Sequence, residues 1–241
     1  EERGYCEVEE TDSMFCWAEK RGEILLYDFP RLDDRQIETF EYGLFGNTVP
    51  DHEKCFSWTF WARSPKCLDK ARESELLSYN QRNIQSVFMG KIENGIQNHN
   101  RKSKDWSTAG IELFDCPVAA PGPEHYRYSK EEYLEKLGRS KFGLCLAGYG
   151  PKCNREIEVI GMGAVPLFSP EVDNKYHEPL VENIHYLRVN NPDEVKKKIN
   201  SITETKWLEM HKAGQEWYER NASPEGSFNL TKRIIEGILV G

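Results

Sequence analysis

The sequence predicts an α/β protein, because apolar runs of strand length alternate with helical patterns and turn-forming residues separate them. A second observation agrees: 241 residues with 38% hydrophobic and 12% aromatic side chains can bury a substantial core, which excludes an intrinsically disordered chain. The early strands fall at 23–28 and 55–61, with a helix over 34–44 that stops at Gly46. A second helix covers 68–77, and a polar stretch then leads to a strand at 86–92 that opens a new unit, so a boundary is expected near residue 80. A short strand at 111–114 precedes a Pro- and Gly-rich loop. Ser129 and Glu132 have capping-box spacing, and Gly138 is expected to end that helix in a left-handed conformation. A strand at 142–146, a glycine-bearing loop, a helix over 155–162 and a strand at 164–168 complete a strand, helix, strand unit. A strand at 184–189 and a helix opened by Pro192 follow, and Trp207, Met210, Gly214 and Trp217 share one face of a last helical segment. The chain is thus expected to hold two Rossmann-like units, a reduced one over residues 1–80 and a fuller one with closing helices over 81–241.

Charge and cysteine content narrow the partners. With 32 Lys and Arg against 40 Asp and Glu the formal charge is −8, so a broad nucleic-acid backbone binder is excluded and an anionic ligand must be met by a local pocket. No run approaches the roughly 18 to 20 apolar residues of a membrane span. The seven cysteines form no CxxC pair and no Cys/His spacing suited to a structural zinc site. Cys145 lies in an apolar run as a small buried hydrophobe, which favours a reducing, cytoplasmic setting. Two sequons, Asn221-Ala222-Ser223 and Asn229-Leu230-Thr231, favour a lumenal alternative.

The informative segment runs over 141–168. A glycine-bearing loop at the carboxyl end of a strand (Gly148, Tyr149, Gly150) leads into a helix whose first turns carry Arg155, Glu156 and Glu158. Free amides at a helix N-terminus favour an anion, and Lys152 and Arg155 add full positive charge there. A carboxylate one turn on can accept from two neighbouring hydroxyls. Phosphate plus a vicinal diol describes a nucleotide. Arg155 and Glu158 could equally be an i, i+3 surface pair.

With Arg155, Glu158, Gly163 and Val165-Pro166 in this order and spacing, the segment resembles the donor-binding half of GT-B glycosyltransferases, most closely the exostosin-like enzymes of family 47. Compact virus-encoded xylosyltransferases are relatives of that group. The resemblance extends over 86–235 and includes Phe88-Met89-Gly90-Lys91. It implies a GT-B-like fold with a reduced N-terminal half and transfer of a sugar, xylose among the candidates, from a nucleotide-diphosphate sugar, UDP-linked by expectation, to a glycan hydroxyl on an oligosaccharide or glycoprotein. It also implies roles: Glu158 for the ribose hydroxyls, Arg155 with Tyr149, Gly150, Lys152 and Cys153 for the diphosphate, and Gly90 with Lys91 approaching from the first strand. Cys153 departs from the Ser usual in this family, replacing a hydroxyl by a weaker thiol donor. Many retaining GT-B enzymes carry a second Glu eight positions before the ribose Glu, where this chain has Gly150, which implies an inverting enzyme. The lumenal alternative would then be a fragment of a Golgi-type enzyme whose anchor is absent from this sequence.

Inversion needs a general base on the acceptor hydroxyl. Asp28 is the first candidate, since a carboxylate at the carboxyl end of an α/β strand faces the crevice where ligands bind. Asp33, Asp34 and His52 are alternatives, Asp34 being also a natural helix cap, and Arg63 could supply charge to the departing diphosphate. With no Asp-x-Asp motif flanked by apolar strand residues, no metal and no bound cofactor are expected, the diphosphate being held by cationic side chains and helix amides. Two other readings remain: a catalytically inactive glycan- or nucleotide-binding module, and a nicotinamide-dependent sugar-modifying enzyme. The last lacks a Gly-x-Gly-x-x-Gly turn after a first strand. Replacing Glu158 by Ala is expected to abolish donor binding and leave the fold intact.

Overall fold

The computed structural model describes residues 24–27, 32–59, 62–90, 92, 101–102, 104–115, 128–148 and 150–240, without the side chains of 24–27, 113–115 and 239–240. Its elements in chain order are β1 (Ile24–Tyr27), α1 (Asp34–Ile37), β2 (Tyr42–Phe45), β3 (Cys55–Ser57), α2 (Pro65–Arg72), β4 (Ile84–Gly90), β5 (Glu112–Asp115), α3 (Lys130–Gly138), β6 (Ser140–Cys145), α4 (Asn154–Gly161), β7 (Val165–Phe168), β8 (Leu187–Arg188), α5 (Pro192–Asn200), α6 (Glu204–Asn221) and α7 (Pro224–Val240). Two sheets result, a three-stranded one in the order β1-β2-β3 and a five-stranded one in the order β5-β4-β6-β7-β8. Every pairing between their strands is parallel. This is the expected α/β class, with parallel strands in each sheet.

The second sheet is buried on both faces, which is why its strands read as continuous apolar runs. Alternation still sorts the side chains: Val87 and Met89 join the cluster with Leu134, Ile157, Ile160 and Trp217, whereas Phe88, Phe142 and Leu144 join the opposite one with Trp106, Val195, Trp207 and Met210. Helix α4 sits tightly on β6. A Cβ at Gly143 would lie 2.6 Å from a Val159 methyl, so only glycine admits this approach. Gly163 (φ 76°) supplies the left-handed turn from α4 into β7.

Two elements tie the units together. Leu68 of α2 is buried in the same cluster as Leu134 and Ile160, so the helix that follows β3 packs on the second sheet's helices. The last helix, α7, returns to the first sheet. Its Leu230 and Ile234 pack with Leu44 and Trp58, and the Trp58 indole N–H donates to Thr231 Oγ1 at 2.8 Å.

Several expected elements are corrected. The helix expected over 34–44 shrinks to the four residues of α1, and 42–45 forms the middle strand of the first sheet. Phe40 and Leu44 imitate helical spacing, but Tyr42-Gly43-Leu44-Phe45 gains two parallel neighbours as a strand, and that tertiary pairing wins. Helix α2 starts at Pro65 behind Ser64 and stops at Arg72, earlier than the expected 77. The strand expected at 184–189 is reduced to Leu187–Arg188 after a turn at Asn183, whose φ is 62°. Ser129 and Glu132 do form the capping box, but Gly138 is the last helical residue with no positive φ, and its small size instead admits the Met162 methyl, 3.0 Å from an added Cβ. Cys145 is fully buried, as expected. Asn221 of the first sequon is buried with its amide on Glu178 and the Trp217 carbonyl, while Asn229 is exposed. No helix of the described residues is long and apolar enough to cross a membrane.

Candidate functional site

The order β5-β4-β6-β7-β8 has a consequence for binding. From β4 the chain steps to β5 on one side and then returns past β4 to build β6, β7 and β8 on the other. Connections that leave in opposite directions part above the carboxyl ends of β4 and β6, which is where doubly wound sheets open a crevice for ligands. Gly90 ends β4 there, Cys145 ends β6, and residues 146–153 lead into α4.

Arg155, in the first turn of α4, reaches across this point. Its guanidinium lies 4.4 Å from the Phe88 ring centroid, and Nη2 donates to the Met89 carbonyl at 3.1 Å. A Cβ on Gly90 would sit 2.5 Å from that Nη2, so Gly90 leaves the space the guanidinium occupies. Arg155 Nε is buried without a hydrogen-bond partner among the described residues. A second guanidinium, that of the buried Arg101, lies 5.8 Å from the same ring and donates to the Ala147 carbonyl at 3.0 Å and the Ile92 carbonyl at 2.6 Å. Two cations therefore converge on the carboxyl ends of β4 and β6, beside the N-terminus of α4. That arrangement suits a multiply charged anion.

Two buried carboxylates flank Arg155. Glu156 is fully buried; one oxygen accepts from the Cys153 amide, closing a capping box, and the other has no partner among the described residues. Burial pushes its carboxyl up to about 8, against the opposing pull of the Cys153 amide and Arg155. Glu158 is also buried, with Oε1 accepting from the Arg63 backbone N–H at 2.9 Å and Oε2 from the Tyr133 hydroxyl at 2.7 Å. Burial raises its pKa while these two hydrogen bonds hold it down, and the Tyr133 hydroxyl is itself pushed well up by burial and by Glu158. Cys153 is the N-cap of α4, and its thiol is raised to about 12 by burial first and then by Glu156, so it stays protonated and is not a nucleophile.

The Glu156 shift makes stability depend on pH in a definite direction. A carboxyl whose folded value exceeds its unfolded value near 4.5 contributes stability that is fully present below 4.5 and lost as pH rises through about 8. The Glu156→Gln variant, which cannot ionise, is expected to show a flatter melting temperature between pH 5 and 8 than the wild-type protein. Equal slopes in thermal scans would refute this.

Other expected site residues fall as follows. Lys152 does not face an open loop: its side chain is fully buried and Nζ donates to the Lys175 carbonyl at 2.7 Å, 5.0 Å from the Tyr176 ring. Gly150 lies against Asn47 of the first unit, whose Nδ2 donates to the Lys152 carbonyl at 2.6 Å. Arg63 stands next to Glu158 through its backbone N–H, with an exposed residue surface. Asp28, Lys91 and Tyr149 lie outside the described residues. Asp33, and not Asp34, caps α1: its Oδ1 accepts from the Gln36 amide at 3.0 Å. His52 is placed at the wrong end, since the Lys54 carbonyl two residues on accepts from the Gly43 amide near the start of β2, whereas Asn47 follows the carboxyl end of that strand. Among the described residues no group of three or more His, Cys, Asp and Glu side chains could hold a metal ion.

Arg101, Tyr133, Glu156 and Asn47 are the site residues that sequence reasoning missed. Arg101 follows a polar stretch without periodicity, Tyr133 looks like an ordinary helix residue, and Asn47 lies over a hundred positions from the loop it touches. Glu156 carried a signal, because a capping box needs a carboxylate three residues after its N-cap.

No protein-family model matches the chain, and no curated protein does either. Among solved structures the chain is similar to the crystal structure of an α1,3-fucosyltransferase, at 14% identity and a TM-score of 0.38, over 77% of this chain and 68% of that one.

Proposed function

We propose that the chain is an inverting glycosyltransferase that moves a sugar from a nucleotide-diphosphate donor, UDP-linked, to a glycan hydroxyl, as its resemblance to exostosin-like enzymes implies, with xylose the first sugar to test. The observation that supports this best is Arg155 crossing the end of Gly90 at the switch point, with Arg101 beside it and the N-terminus of α4 adjacent. In this reading Arg155, Gly150, Cys153 and the helix amides bind the diphosphate, and the remaining lone pairs of Glu158 accept from the ribose hydroxyls. Lys152 anchors the loop through Lys175. As the acceptor hydroxyl attacks the anomeric carbon, a base removes its proton and the nucleoside diphosphate leaves on the opposite face, its developing charge met by the guanidinium groups and not by a metal. Asp28, next in sequence after β1, is the proposed base.

The test is a melting-temperature screen against UDP, GDP and CDP with and without Mn²⁺. A metal-free rise with UDP alone is expected, and no shift with any nucleotide would sink the reading. Asp28→Asn is expected to keep the UDP-induced rise and lose sugar transfer; transfer at the wild-type rate would place the base elsewhere. A nucleotide-binding module without transfer is the second reading, favoured by one observation: both Glu158 oxygens already accept hydrogen bonds from the protein. Release of free UDP from a UDP-sugar, even slowly, decides against it.

A further inference from the structure

Asn47 of the first unit holds the loop over 148–153 at Gly150 and Lys152. Asn47 directly follows the Gly46 that ends the run of β2, and although polar it is buried. Its Nδ2 donates to the Lys152 carbonyl at 2.6 Å, and its Oδ1 accepts from the Thr48 hydroxyl at 2.8 Å. The amide fills the space above Gly150 so completely that an added Cβ there would fall inside it. A buried amide making a hydrogen bond to one backbone carbonyl fixes the path of that backbone, because leaving either group unpaired costs its full desolvation. The next residue but two, Arg155, carries the guanidinium at the crevice, and Cys153 between them caps α4. The path of residues 150–152 therefore sets where the α4 amides point.

We propose that Asn47 is a positioning residue through which the first sheet holds the anion-binding loop in its binding form, so that seating of the acceptor-side unit and affinity for the donor are coupled. This rests on reading the loop as the diphosphate contact. Contacts between Trp58, just after β3, and α7 give the seating another anchor. Asn47 touches no reacting atom; it acts through Lys152 and Gly150.

The test is a cycle of Asn47→Ala, Gly150→Ala and the double variant, read in two ways. Hydrogen exchange of peptides covering 148–156 is followed without ligand, and UDP binding is followed by calorimetric titration with inorganic pyrophosphate as a second probe. Asn47→Ala is expected to speed exchange in this loop and to raise the UDP dissociation constant about tenfold, the loss of roughly one to two hydrogen bonds, with the binding stoichiometry still near one. A merely structural loss would lower the stoichiometry and leave the dissociation constant unchanged. Gly150→Ala alone is expected to be the worse variant because the new methyl collides with the Asn47 amide, and the double variant no worse than Asn47→Ala, since the colliding group is gone. Unchanged loop exchange in Asn47→Ala, or additive losses in the double variant, overturns the proposal. If the wild-type protein binds neither UDP nor pyrophosphate, the donor reading fails and the exchange cycle alone decides whether Asn47 positions the loop.

Discussion

Replacing Arg155 by Ala is expected to abolish the UDP-induced rise in melting temperature. A charge-assisted hydrogen bond contributes about 1.5–3 kcal/mol, so the loss of one corresponds to roughly 10- to 150-fold in affinity. Arg155→Lys is expected to restore little, because an ammonium offers its donors from one nitrogen on a shorter side chain and does not span the Met89 carbonyl and a phosphate oxygen as the planar guanidinium fork does. A second variant tests the same contact from the other side. Gly90→Ala places a methyl 2.5 Å from Arg155 Nη2 and at φ 155° also strains the backbone, so it should displace the guanidinium and lose UDP affinity together with some ligand-free melting temperature. Arg155→Ala instead removes the packing on Phe88 and leaves the backbone unstrained. UDP affinity within twofold of wild type in both variants would dismiss the switch-point crevice as the donor site.

Glu158→Ala is expected to lower the melting temperature as well as donor binding, which corrects the expectation that this substitution leaves the fold intact. The carboxylate is the acceptor for the Tyr133 hydroxyl and the Arg63 amide, and so ties α3 and the start of α2 to α4. Stranding a buried donor costs about 1–3 kcal/mol, and for a chain of this size each 1 kcal/mol is worth about 2–4 °C. A fall of roughly 5–10 °C follows. Adding Tyr133→Phe should recover part of it, because removing both partners costs less than removing one. Glu158→Gln keeps the shape and one acceptor, so it should melt closer to wild type while still binding UDP less tightly. A Glu158→Ala variant that melts like the wild-type protein would show that both donors find water, and the tie between the helices would be discarded.

The fold was largely readable because its signals are local or periodic. Parallel strands buried on both faces appear as unbroken apolar runs, and caps such as Ser129 with Glu132 are short-range chemistry. The misreading at 34–44 came from a stretch whose spacing fits both periods, where the decision belonged to β1 and β3, distant neighbours that supply the hydrogen bonds. The site divides in the same way. Gly90, Arg155 and Glu158 could be named as candidates because they flank glycine turns and a helix start, and Arg155 does lie against Gly90, while Lys152, equally prominent in sequence, buries its ammonium on the Lys175 carbonyl.

What the sequence by itself determined is the α/β class and the strand, glycine-bearing loop and helix segment that places Arg155 at a helix N-terminus, set by periodicity, glycine placement and caps within a few residues of one another. Only the tertiary structure decided that Arg101 joins Arg155 beside Phe88, that Tyr133 and Arg63 occupy Glu158, and that Asn47 lies on the loop at Gly150 and Lys152. Those pairings join residues tens of positions apart, and they are selected by the collective burial of two sheets and their helices, a free energy no single segment of the chain carries.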